Sequence, residues 1–193
     1  MRSVCVFCGS KEGDRAVYRE AAAMLGCEIA RRGLKLVYGG GNIGLMGVIA
    51  DAALAEYGEV VGVIPQALFD KEEGHGGLTA LHVVASMHER KARMADMSDA
   101  FIALPGGFGT FEEFFEILTW AQLGMHRKPC AILNTNGYYD PLLEMFSTGV
   151  KSGFIRAKYR DHIIVDSQPT ALLERLAALH PPRTEKLMDH DSI

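Results

Sequence analysis

The 193-residue sequence has no apolar run approaching the ~18 residues that a membrane-crossing helix needs. Its first hydrophobic stretch, residues 4–7, gives way to Lys11, Glu12 and Asp14, too short for the core of a secretion signal. A cytoplasmic protein with no membrane partner is expected. Positive charge is not in excess either. Twenty Lys and Arg face 24 Asp and Glu, a formal net charge of −4, whereas a nucleic-acid binder calls for a basic patch and a positive balance. Any anion site has to be local.

Cysteine is sparse, and its spacing argues against a metal. Cys5 and Cys8 form a C-x-x-C, but no second pair supplies the other ligands of a zinc site. The pair also falls in a run of strand character, where positions i and i+3 face opposite sides, so buried reduced thiols are expected. None of the seven histidines shows H-x-x-x-H spacing, and no Ser-His-Asp order can be assembled. No metal and no cofactor are expected. Internal repeats and low-complexity segments are missing too.

What is present is an ordinary globular composition, 48% hydrophobic and 23% charged, with length enough for one large domain and a substantial core. Residues 1–179 are expected to form that domain; residues 180–193, with Pro181-Pro182 and a polar end, read as a mobile tail. Apolar β-rich runs recur at residues 4–8, 36–38, 60–64, 81–85, 100–104, 130–133 and 163–165. Between most of them, residues 16–31, 45–56, 88–97, 111–123, 139–150 and 170–179 keep helical period. The alternation predicts an α/β fold, a doubly wound parallel sheet of about seven strands with helices on both faces. Residues 65–80 break the pattern with charge and glycine and read as a surface loop near the site.

In such a sheet, ligands bind beyond the carboxyl ends of the strands, so the loops there are the candidate binding elements. Gly9-Ser10 follows the first strand, Gly39-Gly40-Gly41-Asn42-Ile43-Gly44-Leu45-Met46-Gly47 the second, and Pro105-Gly106-Gly107-Phe108-Gly109-Thr110-Phe111-Glu112-Glu113 the fifth. All three can face one crevice. Glycines there let backbone N–H groups approach a phosphate, and a following helix N-terminus adds positive potential.

Two roles are open to the carboxylates of the third loop. Thr110-x-x-Glu113 is a capping-box pattern, with a helix beginning at Thr110 and ending at Gly124; its apolar side is Phe111, Phe114, Phe115, Leu118 and Ala121, its polar side Glu112, Glu113 and Glu116. Alternatively an acid stands beside a bound anion, which capping alone would not require. Gly39 to Gly44 also matches G-x-G-x-x-G. It follows the second strand rather than the first, however, and the next strand ends Ile64-Pro65-Gln66 without an acid for a ribose hydroxyl, which disfavours a dinucleotide.

Ser86 and Glu89 form a second capping pattern, which places Arg90, Lys91 and Arg93 near a helix start, where cations oppose the dipole. An anionic ligand, a carboxylate partner or a solvated basic face would each account for them. Together the loops suit a phosphorylated sugar or nucleotide, with a carboxylate able to stabilise or attack an oxocarbenium-like centre.

These segments resemble those of a known family. The run from Pro105 to Glu113 is similar to its P-G-G-x-G-T-x-x-E motif, Arg90-Lys91 to its R-K pair, the Gly39 loop to its G-G-G-x-x-G-L-M-G segment, and Cys8-Gly9-Ser10 to its first loop. On these matches, in order over residues 4–169, the chain resembles the LOG-type cytokinin riboside 5′-monophosphate phosphoribohydrolases, often labelled lysine decarboxylases. The resemblance implies a Rossmann-like homodimer that cleaves AMP or an N6-substituted AMP into base and ribose 5-phosphate without a cofactor. By matching position it implies Arg90 and Glu113 as the catalytic pair and Gly106, Gly107, Gly109 and Thr110 as phosphate holders. Gly9, Ser10, Gly40, Gly41, Gly44, Lys91 and Glu112 would be binding residues. Glu72 falls where the family has a substrate-contacting glutamate, and Thr119 is a further candidate on the catalytic helix. Phe108 replaces a frequent tyrosine and keeps the turn. The decarboxylase label would need a Schiff-base lysine, and no local pattern singles one out. A non-catalytic carrier of a phosphorylated ligand, like the molybdenum-cofactor carriers, is the rival on the same scaffold.

Overall fold

A computed structural model describes residues 1–72 and 74–179, with the side chain of Glu72 outside the described part. The expected tail, 180–193, lies wholly outside the described residues. The chain alternates β1 (Ser3–Phe7), α1 (Ala16–Arg31), β2 (Lys35–Tyr38), α2 (Gly44–Ala55), β3 (Val60–Pro65), α3 (Gln66–Glu72), β4 (Ala80–Val84), α4 (Met87–Asp96), β5 (Ala100–Ala103) and α5 (Phe108–Gln122). It continues through β6 (Cys130–Leu133), a 3-10 turn (Thr135–Gly137), α6 (Asp140–Lys151), α7 (Ala157–Asp161), β7 (Ile163–Asp166) and α8 (Pro169–Ala178).

All seven strands pair in parallel in the order β4-β3-β2-β1-β5-β6-β7. This is the doubly wound, Rossmann-like architecture read from the sequence. Strands buried on both faces read as unbroken apolar runs, which is why the inner strands β1, β2, β3, β5 and β6 were visible; the edge strand β4 is only partly buried.

Alternation along β1 divides the core. Val4, Val6 and Cys8 pack with α1, α2 and α8 on one face, while Cys5 and Phe7 pack with Met94 of α4, Phe114, Ile117 and Trp120 of α5 and Phe146 of α6 on the other. The C-x-x-C pair is thereby split between the two faces, both thiols buried and unlinked. Burial pushes both thiols well above their ordinary pKa, with the nearby Glu113 charge adding to the rise.

Two expectations need correction. Residues 65–80 are not one loop: α3 fills the first half, braced by a 2.7 Å bond from Gln66 Nε2 to Asp70 Oδ1 one turn on. The second half is tied down by His75, whose Nδ1 accepts from the Gly77 N–H (3.2 Å), leaving Nε2 to donate to Asp51 (2.9 Å). The short α7 and the 3-10 turn also lacked any periodic signal, being too brief to show one.

α5 is capped three residues before Thr110. Gly107 is its N-cap, in extended conformation, and the Gly107 carbonyl accepts the first helical bond from the Phe111 N–H (3.1 Å). Thr110 is therefore inside the first turn and Glu113 in the second, so neither can close a capping box. The helix does stop at Gly124, as expected: with φ +78 it donates to Ala121, and Met125 donates to Trp120 (2.9 Å), a Schellman ending. The buried stripe is also rotated, running through Thr110, Glu113, Phe114, Ile117 and Trp120, with Phe115 exposed.

Candidate active site

The strand order reverses at β1, where β2 lies on one side and β5 on the other. That switch point leaves a crevice at the carboxyl ends of the strands. Its walls are stitched by main-chain bonds: the Gly9 N–H donates to the Pro105 carbonyl (3.0 Å), and the Gly9 carbonyl accepts from the Leu45 N–H (3.0 Å). Glycine is required at 106, because a Cβ there would strike the Thr110 side chain and lie 2.8 Å from the Gly9 nitrogen.

The resulting crevice, about 400 Å³, is lined by Gly9, Ser10, Lys11, Leu45, Gly106, Gly107 and Tyr138 among others. Above it stands the N-terminus of α5, whose first N–H groups have no intrahelical acceptor. A Cβ at Gly107 or Gly109 would meet nothing within 4 Å, and neither residue has a positive φ. Folding therefore does not demand glycine at these two positions. Close approach of a ligand to the main chain would.

The second loop behaves differently from the expectation that all three share one crevice. Only Leu45 lines it. Gly40, at φ +75, turns the chain toward the other edge, where its carbonyl accepts from the His75 N–H (3.1 Å), and Gly41 bridges to Gly74. Gly44, at φ +58, packs against the Ser10 main chain. Gly39 clears space for Arg90: a Cβ there would collide with its guanidinium.

α4 supplies the cations. Its start is a true cap, since Ser86 Oγ accepts from the Glu89 N–H (3.1 Å) while Glu89 Oε2 accepts from the Ala85 N–H (2.9 Å). One turn on, the Arg90 Nε donates to the Val63 carbonyl at 3.1 Å and Nη1 donates to Glu113 Oε1. Both partners are buried, Arg90 at 9% and Glu113 at 8% exposure. Burial raises the Glu113 pKa above its ordinary value; the Arg90 charge and hydrogen bond oppose this without cancelling it. Lys91 is the second cation of the pair, held by Glu112 (2.5 Å) and Glu116 (2.9 Å). Burial alone would lower its pKa, but those two carboxylates outweigh it and the net shift is upward. Carboxylate partners, one of the open explanations, account for both cations. Arg93 instead meets His82 Nδ1 (3.2 Å).

The structure thus forms two adjoining groups. Gly9, Ser10, Gly106 and Gly107 line the crevice, with Gly109 and Thr110 in the turn above it. Arg90, Lys91, Glu112 and Glu113 form ion pairs between α4 and α5, and do not line that crevice themselves. Thr119 belongs to neither: its hydroxyl donates back to the Phe115 carbonyl (2.8 Å), and it borders a separate cavity of about 260 Å³. Glu72 closes α3, and its candidate role falls on a side chain outside the described part. Several crevice residues went unread in the sequence, Lys11, Asp14, Tyr18 and Tyr138 among them; the signal for Tyr138 was a tyrosine doublet behind the Asn136-Gly137 turn.

Comparison with known proteins places this geometry in a family. The family model described as "Possible lysine decarboxylase" matches residues 46–176. A probable cytokinin riboside 5′-monophosphate phosphoribohydrolase of Oryza sativa is 54% identical over 168 residues, 87% of this chain and 74% of that one. The cytokinin riboside 5′-monophosphate phosphoribohydrolase of Rhodococcoides fascians is 54% identical over 85% of this chain and 83% of its own, and an Arabidopsis thaliana enzyme of the same name is 47% identical over 99% and 89%.

Among solved structures, the molybdenum cofactor carrier protein of Chlamydomonas reinhardtii superposes with a TM-score of 0.69 at 24% identity, covering 92% of this chain and 99% of that one. At that identity the likeness shows the fold alone. Lys91, the lysine of the R-K pair, does not suit the decarboxylase label: a Schiff-base lysine has to lose its proton, whereas Lys91 is held as an ammonium between two carboxylates. By sequence over most of its length, the chain belongs to the family described as possible lysine decarboxylases, whose members include cytokinin riboside 5′-monophosphate phosphoribohydrolases.

Proposed function

We propose that this protein hydrolyses the N-glycosidic bond of a nucleoside 5′-monophosphate, AMP or an N6-substituted cytokinin riboside monophosphate, releasing the free base and ribose 5-phosphate. The observation that carries this reading is the buried Glu113, paired with Arg90 of α4, in the second turn of the helix whose open N-terminus overhangs the crevice. Glu113 follows Phe108 by five residues, about 7.5 Å along a helix axis, the scale of a ribose phosphate.

The first-turn N–H groups of α5 and the Gly106-Gly107 turn hold the 5′-phosphate, where helix dipole and main-chain donors act together. The anomeric carbon then faces Glu113. As the C1′–N bond breaks, its electron pair leaves on the base nitrogen and positive charge develops on the ribose, which the Glu113 carboxylate stabilises. Water oxygen bonds to C1′, and the proton that water gives up balances the departing base. Arg90, fixed at its other end by the Val63 carbonyl, sets the Glu113 rotamer and favours its ionised form against burial.

Purified protein incubated with AMP and with isopentenyladenosine monophosphate should release free base, followed by chromatography. No release from either overturns the reading, and nucleotide retained without turnover marks a carrier instead.

A homodimer and a cytoplasmic location are part of the same proposal. Phe115, Met145 and Phe154, the last 89% exposed, supply apolar surface around α5 and α6 for a second copy. Nucleotide substrates and four free cysteines suit a reducing compartment. Light scattering on wild type and Phe115→Glu tests the dimer; a wild-type monomer mass refutes it.

A further inference from the structure

The turn between β6 and α6 is built in a costly conformation. Asn136 has φ +52, in the left-handed region that non-glycine residues seldom occupy, and Gly137 follows at +70. Four bonds hold the turn: the Tyr138 N–H to Thr135 O (3.1 Å), the Asn134 N–H to Asp166 O (2.8 Å), Asn134 Nδ2 to Asp140 Oδ1 (2.7 Å), and the Tyr139 N–H to Asn134 Oδ1 (2.8 Å). What it presents is a pair of phenols aimed at the glycine loop after β5. The Tyr139 hydroxyl donates to the Leu104 carbonyl (2.6 Å), and the Tyr138 hydroxyl donates to the Gly106 carbonyl (2.5 Å). Edge contacts with Tyr18 at 5.8 Å and Tyr139 at 5.0 Å fix the Tyr138 ring, which also forms part of the crevice wall.

A glycine-rich loop has little stiffness of its own. Because a peptide unit is planar and trans, fixing the Gly106 carbonyl also fixes the Gly107 N–H in the opposite direction. We propose that Tyr138 is a positioning residue of the phosphate cradle: by holding the Gly106 carbonyl it keeps the Gly106–Gly107 peptide in the orientation that offers its N–H to the 5′-phosphate. This inference rests on the cradle reading given above. Tyr138 touches no reacting atom; it acts through the loop, and its contribution is to binding rather than to bond cleavage.

Tyr138→Phe keeps the ring and its packing and removes only the hydroxyl. With Tyr138→Phe, KM for AMP should rise roughly three- to tenfold, the worth of about one hydrogen bond, with kcat retained. Calorimetry with ribose 5-phosphate should show the same weakening, and adenosine, which lacks the phosphate, should bind variant and wild type alike. A purely structural role would lower the melting temperature and weaken both ligands together, and that result overturns the proposal. So does an unchanged affinity for ribose 5-phosphate. If wild type binds ribose 5-phosphate but cleaves neither nucleotide, the hydrolase reading fails while the binding comparison still decides the role of Tyr138. A wild type that does not bind ribose 5-phosphate overturns the cradle and this role with it.

Discussion

Replacing Glu113 by Gln separates catalysis from stability, because the two respond to different properties of the side chain. Gln keeps the shape and one carbonyl oxygen, so the Arg90 Nη1 still finds an acceptor and Nε still reaches Val63. What is lost is the charge. Glu113 is buried and its pKa is raised, with desolvation outweighing Arg90, so the ionised carboxylate is a net cost to the folded state at neutral pH. Removing that charge relieves the cost, while Arg90 loses its counter-ion. The two effects oppose, and a net change of about 1 kcal/mol in either direction is expected, or about 2–4 °C in melting temperature for a chain of this size. Glu113→Ala, by contrast, strands a buried guanidinium and should cost about 3–5 kcal/mol.

The catalytic effect of Glu113→Gln is far larger. Removing a preorganised group that stabilises transition-state charge typically costs ~10²–10³ in kcat. The assay is base release from AMP at saturating substrate, beside a thermal melt. The sign of the pH dependence gives an internal check. With its folded pKa raised, Glu113 contributes stability that is fully present below the ordinary carboxylate value of 4.5 and is lost as pH rises through the folded pKa. The urea midpoint of the Gln variant should therefore gain on wild type as pH rises above the ordinary carboxylate value. Activity within tenfold of wild type, or a loss of activity that merely tracks unfolding, would refute the reasoning.

Arg90→Lys cannot keep both the Val63 and Glu113 contacts, since a single ammonium lacks the guanidinium fork; kcat should drop about 10- to 100-fold, measured by the same base release. Gly106→Ala should lower both melting temperature and activity, because its Cβ strikes Thr110 and crowds Gly9. Gly109→Ala should do the reverse of a folding defect: its Cβ meets no protein atom and alanine favours the helix by roughly 0.5–1 kcal/mol, so the melt rises while KM for AMP increases. Ser86→Ala removes the α4 cap and should cost about 1 kcal/mol, read as a fall of about 2–4 °C in melting temperature.

The sheet and the main helices were legible because the inner strands are buried on both faces and each long helix keeps its period, signals carried within a dozen residues. The glycine loops were legible for the same reason. Tyr138 was not, since its role depends on a hydrogen bond to Gly106, 32 residues earlier in the chain. The Gly39 loop looked like part of one crevice, yet Gly40 turns it toward His75. Its clearest service is space: Gly39 has no Cβ where the Arg90 guanidinium passes.

Two strings of the same kind show where the boundary lies. Ser86-x-x-Glu89 and Thr110-x-x-Glu113 both fit a helix cap, and for the first the local sequence was sufficient: Ser86 and Glu89 close it. The second is no cap. Gly107 starts the helix a turn early and Thr110 is buried within it. Glu113 is turned inward to a guanidinium that arrives from α4, 23 residues away in sequence. By itself the sequence determined the alternation of strands and helices, the glycine turn and the acids beside it, because propensity, period and capping are local. Which acid is buried against which cation was decided only by packing, since α4 and α5 meet across the ends of strands that are not neighbours in sequence.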